Sequence, residues 1–126
     1  MKSAAPMSTS AEVTDKMLSL ILTTLEDSKA EDITTIDLAG KSSLADHMIV
    51  ASGRSHRHVG AVADKLAREL KDNGLARPRI EGQENCDWVL IDAGAIIVHI
   101  FRPEVREFYN IEKMWQAERP EPPEAD

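Results

Sequence analysis

Residues 88–101 constrain the fold more than any other stretch. Trp88-Val89-Leu90-Ile91 and Ala95-Ile96-Ile97-Val98-His99-Ile100-Phe101 are two runs rich in β-branched and aromatic side chains, with Asp92-Ala93-Gly94 between them. Such side chains fit the pleated surface of a sheet. A three-residue connection containing glycine turns the chain back on itself, so these residues are expected to form a β-hairpin.

The other periodicities place the remaining elements around that hairpin. Thr9 and Glu12 have capping-box spacing ahead of Val13, Met17, Leu18, Ile21, Leu22 and Leu25, which recur at helical intervals up to about Lys29. Asp32–Leu38 reads as a strand and Ala39–Ser43 as a turn. His47–Ala51 is a nearly continuous apolar run, suited to a strand buried on both faces. Ser55 caps a helix whose apolar stripe is Val59, Val62, Ala63, Leu66 and Leu70, and Gly74 sits where a helix end favours a left-handed residue. Arg77–Gly82 is expected as an edge strand, because Pro78 cannot donate to a central ladder. Pro103 opens a last helix with Phe108, Ile111 and Trp115 inward. The order α-β-β-α-β-β-β-α describes one α/β domain over residues 10–116, with a mixed five-stranded sheet and three helices. Residues 1–9 and the acidic, proline-rich 117–126 are expected to be disordered.

Charge narrows the function. The 126 residues hold 15 Lys and Arg against 22 Asp and Glu, a net of -7. A protein that wraps nucleic acid carries a strong basic excess, so direct DNA binding is not expected. An acidic domain suits a basic protein partner. Cys86 is the one cysteine, which excludes an internal disulfide and points to a reducing compartment. There is neither an 18-residue apolar run nor an apolar core of signal-peptide type near Met1, so a cytoplasmic location without membrane contact is expected.

The charge is unevenly distributed. Residues 80–101 contain no Lys or Arg but hold Glu81, Glu84, Asp87 and Asp92. Residues 54–79 hold Arg54, Arg57, Lys65, Arg68, Lys71, Arg77 and Arg79 against Asp64, Glu69 and Asp72. Trp88 lies inside the acidic stretch. Strand alternation puts Trp88, Leu90 and Asp92 on one face and Val89 and Ile91 on the other. If Val89 and Ile91 face the helices, an aromatic anchor ringed by carboxylates faces outward, the composition of a site for a basic protein surface. The competing reading makes Trp88 a core residue and the acids solvated loop charges.

Other chemistry-bearing residues point elsewhere. His56 and His58, two apart at a helix start, do not share a face, and with His47 and no Cys pair they make no metal site. His99 shares a strand face with Ile97 and Phe101 and reads as a structural histidine. Ser52-Gly53-Arg54-Ser55 opens a helix but lacks the glycines and the Lys of a P-loop. Cys86 has no base beside it. No catalytic residue, metal or cofactor is expected.

Several segments, taken in order, resemble the ribosomal silencing factor family, also called Iojap. They are Asp32-Ile33 through Asp37-Leu38, Asp46-His47-Met48-Ile49-Val50-Ala51-Ser52-Gly53, Ser55 to Arg57-His58-Val59, and Glu81-Gly82. Trp88-Val89-Leu90-Ile91-Asp92, Gly94, Val98-His99-Ile100-Phe101 and Arg106-Glu107-Phe108-Tyr109-Asn110-Ile111-Glu112-Lys113-Met114-Trp115 follow. Together they cover residues 13–116. The resemblance implies an Iojap-like α/β fold, distantly like nucleotidyltransferases, and binding to the large ribosomal subunit at its protein numbered fourteen. It implies that the joining of the two subunits is blocked and translation lowered when nutrients are short, and it implies a homodimer. The family's interface tryptophan falls on Trp88, with Leu90 and the turn at Asp92 and Ala93 on the same surface, so the resemblance favours the interface reading of that residue. His47 and Ala95 depart from the usual aromatic and Asp, and Ile111 replaces a usual Leu. An enzyme of nucleotidyl transfer is the first alternative, and it would want paired carboxylates on a strand, which are absent here. A dimeric adaptor for a non-ribosomal partner is the second.

Overall fold

A computed structural model describes residues 10–40 and 45–109. The Thr9 cap, part of the 39–43 turn, Ile111, Trp115 and both expected disordered ends lie outside the described residues. The elements run α1 (Ser10–Asp27), β1 (Glu31–Asp37), β2 (His47–Ser52), α2 (His56–Asp72), β3 (Arg79–Glu81), β4 (Trp88–Asp92), β5 (Ile96–Phe101) and α3 (Pro103–Tyr109). The five strands form one sheet in the order β1-β2-β5-β4-β3. β2 and β5 are parallel and central, and the other three pairings are antiparallel. The expected element order and mixed sheet are therefore both present, with β3 at an edge as expected but shortened to Arg79–Glu81, so that Pro78 precedes it.

Two apolar layers flank the sheet. On one face Ile49, Ala51, Val89, Ile91, Ile96, Val98 and Ile100 meet Met17, Ile21 and Leu25 of α1 and Val59, Val62, Ala63, Leu66 and Leu70 of α2. The α2 stripe is the one its spacing predicts, all five residues at or near zero exposure. On the other face a smaller cluster gathers Ile36, Leu38, Ala45, Met48, Val50 and Phe101, with Trp88, Ile97 and Val105 of α3 packed against it.

Local chemistry sets the element ends. Ser55 Oγ accepts from the His58 N–H at 3.1 Å and starts α2, and Gly74 takes φ +67 just past its end. In the β4–β5 hairpin the connection is Ala93–Ala95, one residue later than the sequence pattern suggests. There Ala93 N–H donates to the Ile96 carbonyl at 2.9 Å, and the Asp92 carboxylate accepts from Gly94 N–H at 2.9 Å. Gly82, at φ +90, ends β3 against β4, where an added Cβ would run into the backbone carbonyl oxygen of Trp88. Gly82→Ala is expected to lower stability by about 2 kcal/mol, since both the left-handed backbone and the close approach are lost. Urea unfolding checks this, and an unchanged midpoint would refute it.

Candidate functional site

The Trp88 face is assembled by strand register. Cross-strand partners share a face, and Trp88 pairs with Phe101, Leu90 with His99, Asp92 with Ile97, Glu81 with Leu90 and Arg79 with Asp92. Trp88, Leu90 and Asp92 are thus on the face opposite α1 and α2, while Val89 and Ile91 are fully buried beneath the helices. Trp88 itself is neither sealed in the core nor a freely projecting ring. It is half-buried, stacked on Phe101 with centroids 4.8 Å apart and planes 25° apart. Leu90 and Ile97 are likewise half-buried and extend the apolar strip beside it.

His99 holds the indole. The Trp88 Nε1–H donates to His99 Nδ1 at 2.9 Å. An indole N–H can only donate, so Nδ1 must be unprotonated and the neutral ring carries its proton on Nε2. His99 is 5% exposed, and burial pushes its pKa down to about 4. A neutral ring that accepts from the indole is therefore maintained at neutral pH. The expectation of a structural histidine is met, but its partner was not foreseen. Counting back from a turn at Asp92–Gly94 would set Val98 opposite Trp88 and His99 on the other face, so this pairing follows only from the register the folded hairpin adopts.

Asp87 is fixed by two side chains distant in sequence. Its Oδ1 receives Arg102 Nε at 3.0 Å and His56 Nε2 at 2.8 Å, and its carbonyl accepts from Arg102 N–H at 3.0 Å. The hydrogen bond from His56, then that from Arg102, holds the Asp87 carboxyl below the usual carboxylate range. The residue before Trp88 is thereby tied to the starts of both α2 and α3.

These contacts correct the picture of a base-free acidic face. Asp87 is paired rather than free, Asp92 is spent on its turn, and Arg79 stands opposite Asp92. Ala93 is 7% exposed and packs into the helix-side layer, so its side chain is not on the Trp88 face. Glu81 and Glu84 remain exposed, and neither makes an ion pair among the described residues.

A cleft of about 870 Å³ lies on the β1–β2 side of the same sheet, lined by residues that include Asp32, Thr34, Ser52, Glu104 and Arg106. Arg106 crosses it to Ser52 Oγ at 2.7 Å and Thr34 Oγ1 at 3.4 Å. Among the described residues no group of three His, Cys, Asp or Glu is placed to hold a metal ion. Cys86, with its thiol on the Gln83 carbonyl at 3.1 Å, has its pKa raised by burial and then by Asp64 and Asp87. That is the opposite of an activated nucleophile.

The class so defined is a small mixed-sheet α/β domain, with one sheet face sealed by two helices and the other carrying a half-buried aromatic and aliphatic strip. The model of the family described as "Ribosomal silencing factor during starvation" matches residues 11–126, and the chain belongs to that family. A ribosomal silencing factor of Zymomonas mobilis is 54% identical over 101 residues, covering 80% of this chain and 76% of that protein. The crystal structure of a Chromobacterium violaceum protein superposes with a TM-score of 0.79 at 39% identity, covering 85% of this chain and 89% of that one. A mouse protein named for mitochondrial assembly of the ribosomal large subunit is 31% identical over 78% of this chain and 44% of its own length.

Proposed function

We propose that the chain binds the large ribosomal subunit through the Trp88 face and sterically prevents the small subunit from joining. The family's description and the mouse relative's name supply the ribosomal context. On this chain's own residues, one observation carries the reading: Trp88 and Leu90, half-exposed and adjacent, lie on the sheet face the two long helices leave open. An aromatic side chain with its ring orientation fixed in advance loses little entropy on docking. The partner is the large-subunit protein numbered fourteen, and attraction to a basic surface falls to Glu81 and Glu84 rather than to Asp87. The action is occlusion, so the protein is not an enzyme. The free protein is a cytoplasmic homodimer.

Sucrose gradients of purified subunits test this. Adding the protein is expected to lower the joined-ribosome peak and place the protein in the large-subunit fractions. An undiminished peak, with the protein left at the top of the gradient, would overturn it. Leu90→Ser is expected to weaken co-sedimentation about tenfold, the loss of roughly 1.4 kcal/mol, while thermal unfolding shifts by only a few degrees. Wild-type affinity in that variant would remove Leu90 from the interface.

A further inference from the structure

The basic half of the sequence also forms a site of its own. α2 buries one stripe and leaves Arg68 and Lys71 on its exposed side. After Gly74 the chain folds back, with Leu75 N–H on the Leu70 carbonyl at 3.0 Å, and enters β3 through Arg77 and Pro78. Between the end of α2 and β3 lies a groove of about 480 Å³, lined by Ala67, Arg68, Lys71, Arg77, Pro78 and Ile80. Three of those six residues are cations and none is an acid. Among the described residues none of the three makes an ion pair, whereas Arg54 reaches Glu31 and Arg102 reaches Asp87 and Glu104.

We propose that this groove binds the phosphate backbone of RNA. Guanidinium forks and an ammonium arranged around an apolar floor are the groups that hold phosphate and sugar. Arg68 and Lys71, three apart on a helix, are surface neighbours that can meet successive phosphates, and Arg77 closes the groove from the β3 side. The chain as a whole is acidic, with a net charge of -7, so the cations of this groove stand out as a local positive patch toward which a polyanion is steered. The choice of RNA over an acidic peptide rests on the proposed docking to the large subunit. β3 separates the two sites: Glu81 shares the Trp88 face with Leu90, while Ile80, paired with Ile91, belongs to the helix side. A basic ribosomal protein embedded in RNA presents the two opposite charges that these adjoining surfaces need.

The test is fluorescence anisotropy of a labelled RNA hairpin with the full chain, against Arg68→Ser/Lys71→Ser/Arg77→Ser, with circular dichroism to verify folding. Three phosphate contacts predict that wild-type affinity falls roughly 20- to 40-fold between about 50 and 200 mM salt. The triple variant should lose most of the binding and nearly all of that salt dependence. Lys71→Ser alone should lower the slope by about one. Equal binding by wild type and triple variant, no binding by either, or tighter binding of a decaglutamate peptide than of the hairpin would each overturn the proposal. Co-sedimentation with large subunits separates the two readings. Hairpin binding that needs the three cations, with no co-sedimentation, keeps the groove and defeats the docking face. Co-sedimentation with the same salt dependence in wild type and triple variant does the reverse.

Discussion

Trp88→Ala is expected to weaken large-subunit binding by a factor of 100 or more, about 3 kcal/mol, while the protein still folds. The binding loss is that of a central aromatic anchor. The folding cost is smaller, about 2 kcal/mol, because the indole is half-buried; it gives up its stack on Phe101, its hydrogen bond to His99 and part of the second apolar cluster. The layer beneath α1 and α2 does not include this side chain, so the cooperative core survives. Trp88→Phe separates the two contributions: it keeps a ring to stack on Phe101 but leaves His99 Nδ1 without its donor. Its stability and its binding should both lie between those of wild type and Trp88→Ala, the stability loss coming from the unpaired buried acceptor. Co-sedimentation across a concentration series, with urea unfolding of each variant, provides the measurement. A folded Trp88→Ala protein that co-sediments like wild type would remove this face from the interface.

The parts of this architecture that depend on neighbours in sequence are legible in the chain. Alternation in Trp88-Val89-Leu90-Ile91 separated Val89 and Ile91 from Trp88 and Leu90, Ser55 marked the start of α2, Gly74 marked its end, and Pro78 argued for an edge place for β3. What depends on distant residues is not legible in the same way. The partners of Asp87 lie 31 and 15 residues away, so its charge read as free when Arg102 and His56 had already taken it up. Residues 80–101 contain no base, yet register sets Arg79 opposite Asp92. A linear count of charge gives no account of what crosses from the next strand.

The Trp88 face has two levels of support, and they differ in origin. The ring stack follows from hairpin register and is local. The clamp on Asp87 joins the starts of α2 and α3, the two helices that follow the parallel strands β2 and β5. Exposed ion pairs of this kind contribute little to stability. Their consequence is positional: they fix the chain immediately before Trp88, as the close packing at Gly82 fixes the strand beside it.

Acidification is expected to remove about 3 kcal/mol of folding stability between pH 6.5 and pH 4, through His99 alone. The buried ring has a pKa of about 4 in the folded protein, against an ordinary value of 6.5. Above pH 6.5 the ring is neutral in both states, and the full stability is present. Between those values the unfolded chain takes up a proton that the folded chain refuses, so stability falls by about 1.4 kcal/mol per pH unit as pH drops. Below pH 4 the folded ring is protonated as well, and the loss levels off. Protonated Nδ1 would then face the indole N–H donor to donor, so Trp88 loses its orienting bond in the same range. The depressed Asp87 carboxyl acts in the same direction but in a separate window: its contribution is present above the ordinary value of 3.8 and lost below it. Urea unfolding at pH 7, 5.5 and 4.5 resolves the His99 window. His99→Asn places an acceptor oxygen near the position of Nδ1 and does not titrate, so its stability, lower at pH 7, should lose this slope. An equally steep fall in that variant would assign the acid sensitivity to other groups and leave His99 without the role its burial gives it.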